Sequence, residues 1–358
     1  MIAAVVSLGL LLLCSACGAK NSGKVPVPSV ADLGGSRSDP VASSRRISLE
    51  DVKAEVAGIS RVSSFLLLYK DKLVLEHFAN GGALDRPINI KSASKSLLNA
   101  LVAIAIERGE LESLDRPIAD YLPKYFAKIP QQDLRRQITV RHLLTLSSGL
   151  PSTSIYNYGA WVSSKDWIAY SLNQELIAPP GTRFIYSTGD THLLAAVLTQ
   201  AVGMPLRTYA QRHLFDPLGV EIVAWDRDPQ GIYFGGNNVA LSPKALLSFG
   251  KLYLNGGTVD ERRMLSTEWI KESWTPRFIR SSFNGRHDYG YLWWRADFGG
   301  HSTWFAWGYG GQFLFVIPSL DAVVVVTGDP DARSRGGNEV IYTLMDEIVV
   351  PYLVKSAT

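Results

Sequence analysis

The sequence predicts an α+β fold: an antiparallel sheet built from both chain ends and flanked by helices, with a mainly helical insertion. Three observations lead there. Short apolar, strand-forming runs occur early, at Phe65–Tyr69 and Leu73–Phe78, and recur late, at Ser302–Trp307, Gln312–Ile317 and Ala322–Thr327. Between them, from Glu110 to about Glu272, the chain reads as helices joined by polar, Pro-containing loops. Strands from the two ends share one sheet when the helical middle lies beside it. The 358 residues, 46% hydrophobic and 19% charged, are enough for a substantial core.

Taken in order, residues 1–17 read as a leader. The apolar run Ile2–Leu13 is too short to span a membrane as a helix and leads into small residues, Ser15-Ala16-Cys17-Gly18, as in an export signal. Ser-Ala-Cys resembles the bacterial lipoprotein cleavage box, which implies lipidation at Cys17 and a periplasmic or cell-envelope location. No Lys or Arg precedes the run, and Cys14 stands where that box prefers Leu. An uncleaved anchor would tether the same domain to the same membrane. Residues 18–46, rich in Ser, Gly, Pro and Asp without periodicity, read as a flexible tether. Cys14 and Cys17 are the only cysteines, so the rest of the chain has no disulfide, thiol nucleophile or cysteine metal site. A net charge of +3, with Lys and Arg scattered, excludes a nucleic-acid partner. The leader or its lipid is the expected membrane contact.

The folded domain is expected over 47–358, its sheet part at 47–109 and 285–358 and its helical part at 110–284. Ser48 reads as the N-cap of a first helix. Phe65–Tyr69 and Leu73–Phe78 form a hairpin around Lys70-Asp71-Lys72, followed by a turn at Asn80-Gly81-Gly82. Lys91-Ser92-Ala93-Ser94-Lys95 then opens the run Ser96–Ile106, which ends at Gly109, a C-cap. That run is apolar all round, so the helix is buried. Thr139–Leu146 and Asp190–Leu198 are amphipathic helices, the second closed by Gly203. Past Gly290 come strands at Tyr291–Arg295, Ser302–Trp307, Gln312–Ile317 and Ala322–Thr327, with a turn at Pro318–Asp321. A final helix spans roughly Asn338–Leu353. No oligomeric state is implied.

Ser92 and Lys95 are three apart, hence on one side of a helix. A serine hydroxyl with an amine one turn away makes a nucleophile without histidine. The pattern recurs at Ser248-Phe249-Gly250-Lys251, so the tetrapeptide alone carries little, and a capping serine with a solvated lysine is the plain alternative. His77, His142, His192, His213, His287 and His301 do not form a triad pattern, no Gly-x-Ser-x-Gly elbow occurs, and no pair has zinc spacing. No metal or cofactor is expected. Tyr186, between the turn at Pro180-Gly181 and a helix start, is the better partner, against packing under a loop. Ala306-Trp307-Gly308-Tyr309-Gly310-Gly311-Gln312 puts glycine in a strand, where ligands often approach backbone. A Gly-rich hairpin is the alternative.

Together and in this order, these elements resemble the serine β-lactamase and penicillin-binding-protein superfamily, in its class C-like branch. Ser92-Ala93-Ser94-Lys95 resembles Ser-x-x-Lys, Tyr186-Ser187-Thr188 resembles Tyr-x-Asn/Ser, and Ala306-Trp307-Gly308 stands in the place of Lys/His-Thr/Ser-Gly. The likeness extends over Ile138–Leu144, Ser147–Leu150 and the strands to Thr327. It implies a β-lactamase/transpeptidase-like fold, attack by Ser92 on a carbonyl and a proton shuttle of Lys95 and Tyr186. It also implies an oxyanion hole of the Ser92 and Tyr309 amides.

Two departures matter. Ala306 replaces the cation that helps hold a substrate carboxylate, a contact worth about 1.5–3 kcal/mol. Thr188 keeps a hydroxyl but lacks an amide. The chain therefore looks like the branch of carboxylesterases and 6-aminohexanoate-dimer hydrolases, and a small ester or amide is the expected substrate. Other readings are a D-alanyl-D-alanine carboxypeptidase or penicillin-binding protein, a weak β-lactamase, or a silent module binding cell-wall fragments. Trp161, Trp167, Trp293, Trp294 and Trp307 would suit an apolar acyl or aromatic leaving group. Gly235-Gly236-Asn237-Asn238 could rim the pocket. Trp307, Gly308 and Asn238 are the expected substrate-binding residues.

Overall fold

The computed structural model describes residues 47–154, 156–281, 285–331 and 337–357. The leader, Cys17 and the tether lie outside the described residues. Helix α1 (Leu49–Gly58) starts in a capping box, where Ser48 Oγ accepts from Asp51 N at 3.2 Å and the Asp51 carboxylate accepts from Ser48 N at 2.8 Å. Strands β1 (Val62–Tyr69) and β2 (Lys72–Phe78) form the expected hairpin. Its turn residues Lys70 and Asp71 both have positive φ, 48° and 61°, which matches the twist of the flanking strands.

The chain continues through α2 (Lys95–Glu107), α3 (Thr188–Val202) and α4 (Pro243–Leu254). It returns as β3 (Asp288–Tyr289), β4 (Trp294–Phe298), β5 (His301–Gly308), β6 (Gln312–Ile317) and β7 (Ala322–Gly328). These make one seven-stranded antiparallel sheet in the order β2-β1-β7-β6-β5-β4-β3. The chain ends meet at β1 and β7, from Val62 opposite Gly328 to Tyr69 opposite Ala322. Strands β1, β6 and β7 are buried along their whole length, so both faces are covered and the stretches Phe65–Tyr69, Phe313–Ile317 and Ala322–Val326 read as unbroken apolar runs. Helix α4 lies directly on β6 and β7: a Cβ on Gly250 would come within 2.6 Å of Val323 Cγ1 and 2.7 Å of Leu314 Cδ1.

Two segments differ from expectation. The strand expected at Tyr291–Arg295 begins only at Trp294. Leu292 turns the chain with φ 57°, donates to Leu144 O at 3.0 Å, and accepts at its carbonyl from Ser96 Oγ at 2.7 Å. Bonds to helical segments thus replace a ladder. The final helix is α-helical over Glu339–Thr343, π-helical over Leu344–Val349, and α-helical again over Val350–Ala357. Among the described residues, no helix is long and apolar enough to cross a membrane.

Candidate active site

Ser92 is positioned by the segment before it. Ile88–Asn89 pairs with Val239–Leu241, and Ile90 N donates to Val239 O at 2.9 Å. Lys91 then reverses the chain with φ 49°, its N–H held by Asn89 Oδ1 at 2.9 Å. Ser92 sits in the 3₁₀ turn Lys91–Ser94, one turn ahead of the α-helix on which the sequence placed it. From the other side the end of β5 presses on this turn. A Cβ on Gly308 would meet Ile90 O at 2.2 Å, so only glycine lets the strand come so close.

Lys95 opens α2 at 2% exposure. Its Nζ lies 2.8 Å from Gly236 O, 3.2 Å from Thr188 Oγ1 and 3.2 Å from Ser92 Oγ. Burial pushes its pKa down to about 7, so a large fraction is neutral amine at neutral pH. A neutral amine has two N–H donors and one lone pair. The Gly236 carbonyl can only accept, and with the other N–H on Thr188 the lone pair faces the Ser92 hydroxyl. Thr188 Oγ1 also contacts Ser154 Oγ at 2.9 Å.

Residues 152–154 fix the segment that carries Tyr186 into α3. Ser154 Oγ accepts from Thr188 N at 2.8 Å and Thr153 Oγ1 from Gly189 N at 2.7 Å, satisfying two of the four open N–H groups of α3. Ser152 Oγ donates to Tyr186 O at 2.6 Å. The Tyr186 ring stacks on Trp294, with centroids 5.7 Å apart, and Lys95 Nζ lies 5.1 Å from its centroid. Burial pushes the Tyr186 hydroxyl up to about 12, opposed by its hydrogen bond with Ser92. Burial drives the two pKa values apart, leaving near pH 7 an amine able to accept a proton and a phenol able to donate one. Nearby, Asp190 is buried with Ser148 Oγ donating to Oδ1 at 2.9 Å and, among the described residues, no hydrogen-bond partner for Oδ2, and burial raises its carboxyl to about 7.

These groups open on a cavity of about 540 Å³. Tyr158, Tyr186, Trp294, Trp307 and Tyr309 wall it, with Ser92, Ser154 and Asn237 among its polar groups. Tyr309 stands at the mouth, 49% exposed. Gly308 lies behind the cavity, and its part is the close approach to Ile90 O. Ala306 is buried in β5 and brings no cation. Lys91 lines the cavity paired with Asp331 at 3.2 Å.

Asn238 is a correction. Its Nδ2 donates to Asp226 Oδ2 at 2.8 Å, its Oδ1 accepts from Asn89 Nδ2 at 3.1 Å, and its φ is 52°. Those bonds take its side chain out of the cavity. Asn237 lines it instead, with Nδ2 donating to Tyr158 OH at 3.1 Å. Of the five expected tryptophans, Trp294 and Trp307 reach the cavity. Trp161 and Trp167 pack with His192 and Phe234, and Trp293 with Phe249 and Tyr253. Ser248 stays outside, and Lys251 reaches solvent and Asp71. The sequence shows no sign of Ser154 or Tyr158 at the cavity, and within the expected rim Gly235-Gly236-Asn237-Asn238 it is Asn237 and the Gly236 carbonyl, not Asn238, that reach the site. Among the described residues, no group of three or more His, Cys, Asp or Glu could hold a metal ion.

Comparison with known proteins bears on the fold and the family. The profile of the Beta-lactamase family matches residues 70–339. A 6-aminohexanoate-dimer hydrolase of Paenarthrobacter ureafaciens is 25% identical over 301 residues, covering 76% of this chain and 75% of its own. Among solved structures, EstCE1, a hydrolase with promiscuous acyltransferase activity, superposes with a TM-score of 0.67 at 18% identity, over 83% of this chain and 98% of its own. A penicillin-binding protein from Bacillus halodurans superposes with a TM-score of 0.65 at 17% identity, over 82% and 98%. The fold is theirs, the family match spans most of the chain, and this protein belongs to the Beta-lactamase family as one of its serine hydrolases.

Proposed function

We propose that this protein is an exported hydrolase that cleaves esters or small amides through an acyl-enzyme on Ser92. The observation that carries the reading is the buried Lys95 amine, 3.2 Å from Ser92 Oγ, with its other contacts on Gly236 O and Thr188 Oγ1. Ser92 Oγ attacks the substrate carbonyl carbon as its proton passes to the Lys95 lone pair. The oxyanion is received by the Ser92 and Tyr309 amides. The close contact of Gly308 with Ile90 O supports that pairing, since it brings the start of the Tyr309 turn against the turn of Ser92. Collapse breaks the C–O or C–N bond, Tyr186 protonates the leaving group, and the Lys95 ammonium returns a proton to Tyr186. Water then repeats the sequence on the acyl-enzyme.

The aromatic walls favour an apolar acyl or leaving group. Ala306 supplies no charge, and Lys91 already pairs with Asp331, which supports neutral substrates over penicillins. The 6-aminohexanoate-dimer relative supports a small amide as the alternative to an ester. Export and lipid attachment at Cys17 rest on the leader sequence alone.

Nitrophenyl esters of short acids provide the test. Turnover is expected, with kcat/KM rising along an acid limb near pH 7 as Lys95 loses its proton. A stable penicillin adduct on Ser92 without ester turnover would favour a penicillin-binding protein. Ligand binding with neither turnover nor adduct would favour the silent module.

A further inference from the structure

The mechanism above does not use a buried pair on the far side of Lys95. His192, on α3, and Asp228 are both buried, with Nε2 and Oδ2 2.9 Å apart. The other ring nitrogen, Nδ1, accepts from Gly235 N at 3.3 Å. A backbone N–H can only donate, so Nδ1 carries the lone pair and the proton sits on Nε2, donated to Asp228. Asp228 is itself fixed: Oδ1 accepts from Gln230 N at 2.9 Å and Ile232 N at 2.8 Å. The rings of Trp161, Trp167 and Phe234 surround the imidazole, with centroids 5.2–6.0 Å away. Tyr125 is a further titratable group that feels Asp228.

Gly235 is held at both of its polar atoms. His192 takes its N–H, and its carbonyl lies 3.0 Å from Thr191 Oγ1, whose single proton it shares with Thr188 O at the same distance. The fit admits no side chain, since a Cβ on Gly235 would lie 2.1 Å from Thr191 O and one on Gly236 would lie 2.6 Å from Lys95 Cγ. The next carbonyl, Gly236 O, makes the shortest contact of the Lys95 amine.

We propose that Asp228 and His192 are positioning residues: they set the imidazole tautomer that holds Gly235, and so aim the Gly236 carbonyl that orients the Lys95 amine toward Ser92. This rests on the reading of Lys95 as the base. Asp228 acts on the tautomer, His192 on the loop, and the loop on the amine and its shielding from water. Asp228→Asn keeps an oxygen for Gln230 and Ile232 but presents an N–H to Nε2. That drives the ring proton to Nδ1, against the Gly235 N–H. The loop loosens, water reaches Lys95, and its burial-lowered pKa moves back up.

The test compares Asp228→Asn, His192→Leu and His192→Asn with wild type by ester kinetics against pH, by thermal unfolding, and by NMR titration of the Lys95 ε-carbon in lysine-labelled protein. Asn and Leu at 192 have similar size and both sever Asp228, but only Asn keeps an acceptor near the position of Nδ1. Asp228→Asn and His192→Leu are expected to lose about 10- to 100-fold in kcat with little change in KM. Their acid limb and Lys95 titration both move upward. His192→Asn is expected to keep turnover and titration near wild type although it unfolds earlier. Losses that follow unfolding temperature regardless of the acceptor, or an unmoved Lys95 titration in Asp228→Asn and His192→Leu, overturn the proposal. The titration decides even if wild type hydrolyses no ester, an outcome that would instead refute the ester reading.

Discussion

Replacing Ser92 by Ala is expected to lower kcat/KM for an activated ester by on the order of 10⁴-fold or more, because nucleophile and base act as one unit. For the same reason Lys95→Met should fall nearly as far, by at least the 10²–10⁴ that a positioned base contributes. Ser248→Ala is the control within the same chain. Ser248 repeats the tetrapeptide spacing on α4, but it does not line the cavity, and Lys251 pairs with Asp71 at the surface. The structural difference between the copies is the environment of the amine. Lys95 is buried, with its pKa pushed down to about 7. Equal losses at Ser92 and Ser248 would refute the assignment.

The largest expected loss of stability comes from Asn99→Leu. Asn99 lies fully buried in the middle of α2, with each amide atom making two bonds. Nδ2 donates to Ser273 Oγ at 2.9 Å and Tyr291 O at 3.0 Å, while Oδ1 accepts from Tyr253 OH at 2.5 Å and Trp269 Nε1 at 3.1 Å. Leu fills nearly the same volume, so the change tests the polar network rather than a cavity. Each stranded buried partner costs about 1–3 kcal/mol, and partial repacking leaves an expected total of about 3–5 kcal/mol. Urea unfolding measures it. A loss below about 1 kcal/mol would mean that the network adds nothing beyond apolar packing.

The sheet was legible because its strands are either unbroken apolar runs or bounded by turn residues that the local sequence displays. The hairpin at Lys70-Asp71 and the pair Gln312–Ile317 and Ala322–Gly328 are of that kind. Helix α2 was legible as buried, but Asn99 was hidden inside an apolar run because its partners lie more than 150 residues away. The same cause displaced the strand expected at Tyr291, since Leu292 answers to Ser96 and Leu144. Within the site, side chains whose order along the chain resembles a known family could be named. The partners set by tertiary approach could not. Asn237 and Asn238 are adjacent and chemically identical, and only the turn at Asn238 decides which faces the cavity. His192 was visible as a residue on a helix, while its partner Asp228 is 36 positions on. Aromatic composition likewise did not distinguish Trp294 and Trp307 at the cavity from Trp161 and Trp167 around His192.

On the proposed mechanism Ser92 carries the acyl group and Lys95 activates it. Intact-mass spectrometry after exposure to an activated fluorophosphonate, a penicillin and a panel of activated esters measures this directly. One fluorophosphonate adduct per chain is expected, mapped to Ser92, lost in Ser92→Ala and retained in Ser248→Ala, with transient acyl masses from the esters. An adduct on any other residue, or none in wild type, would contradict it.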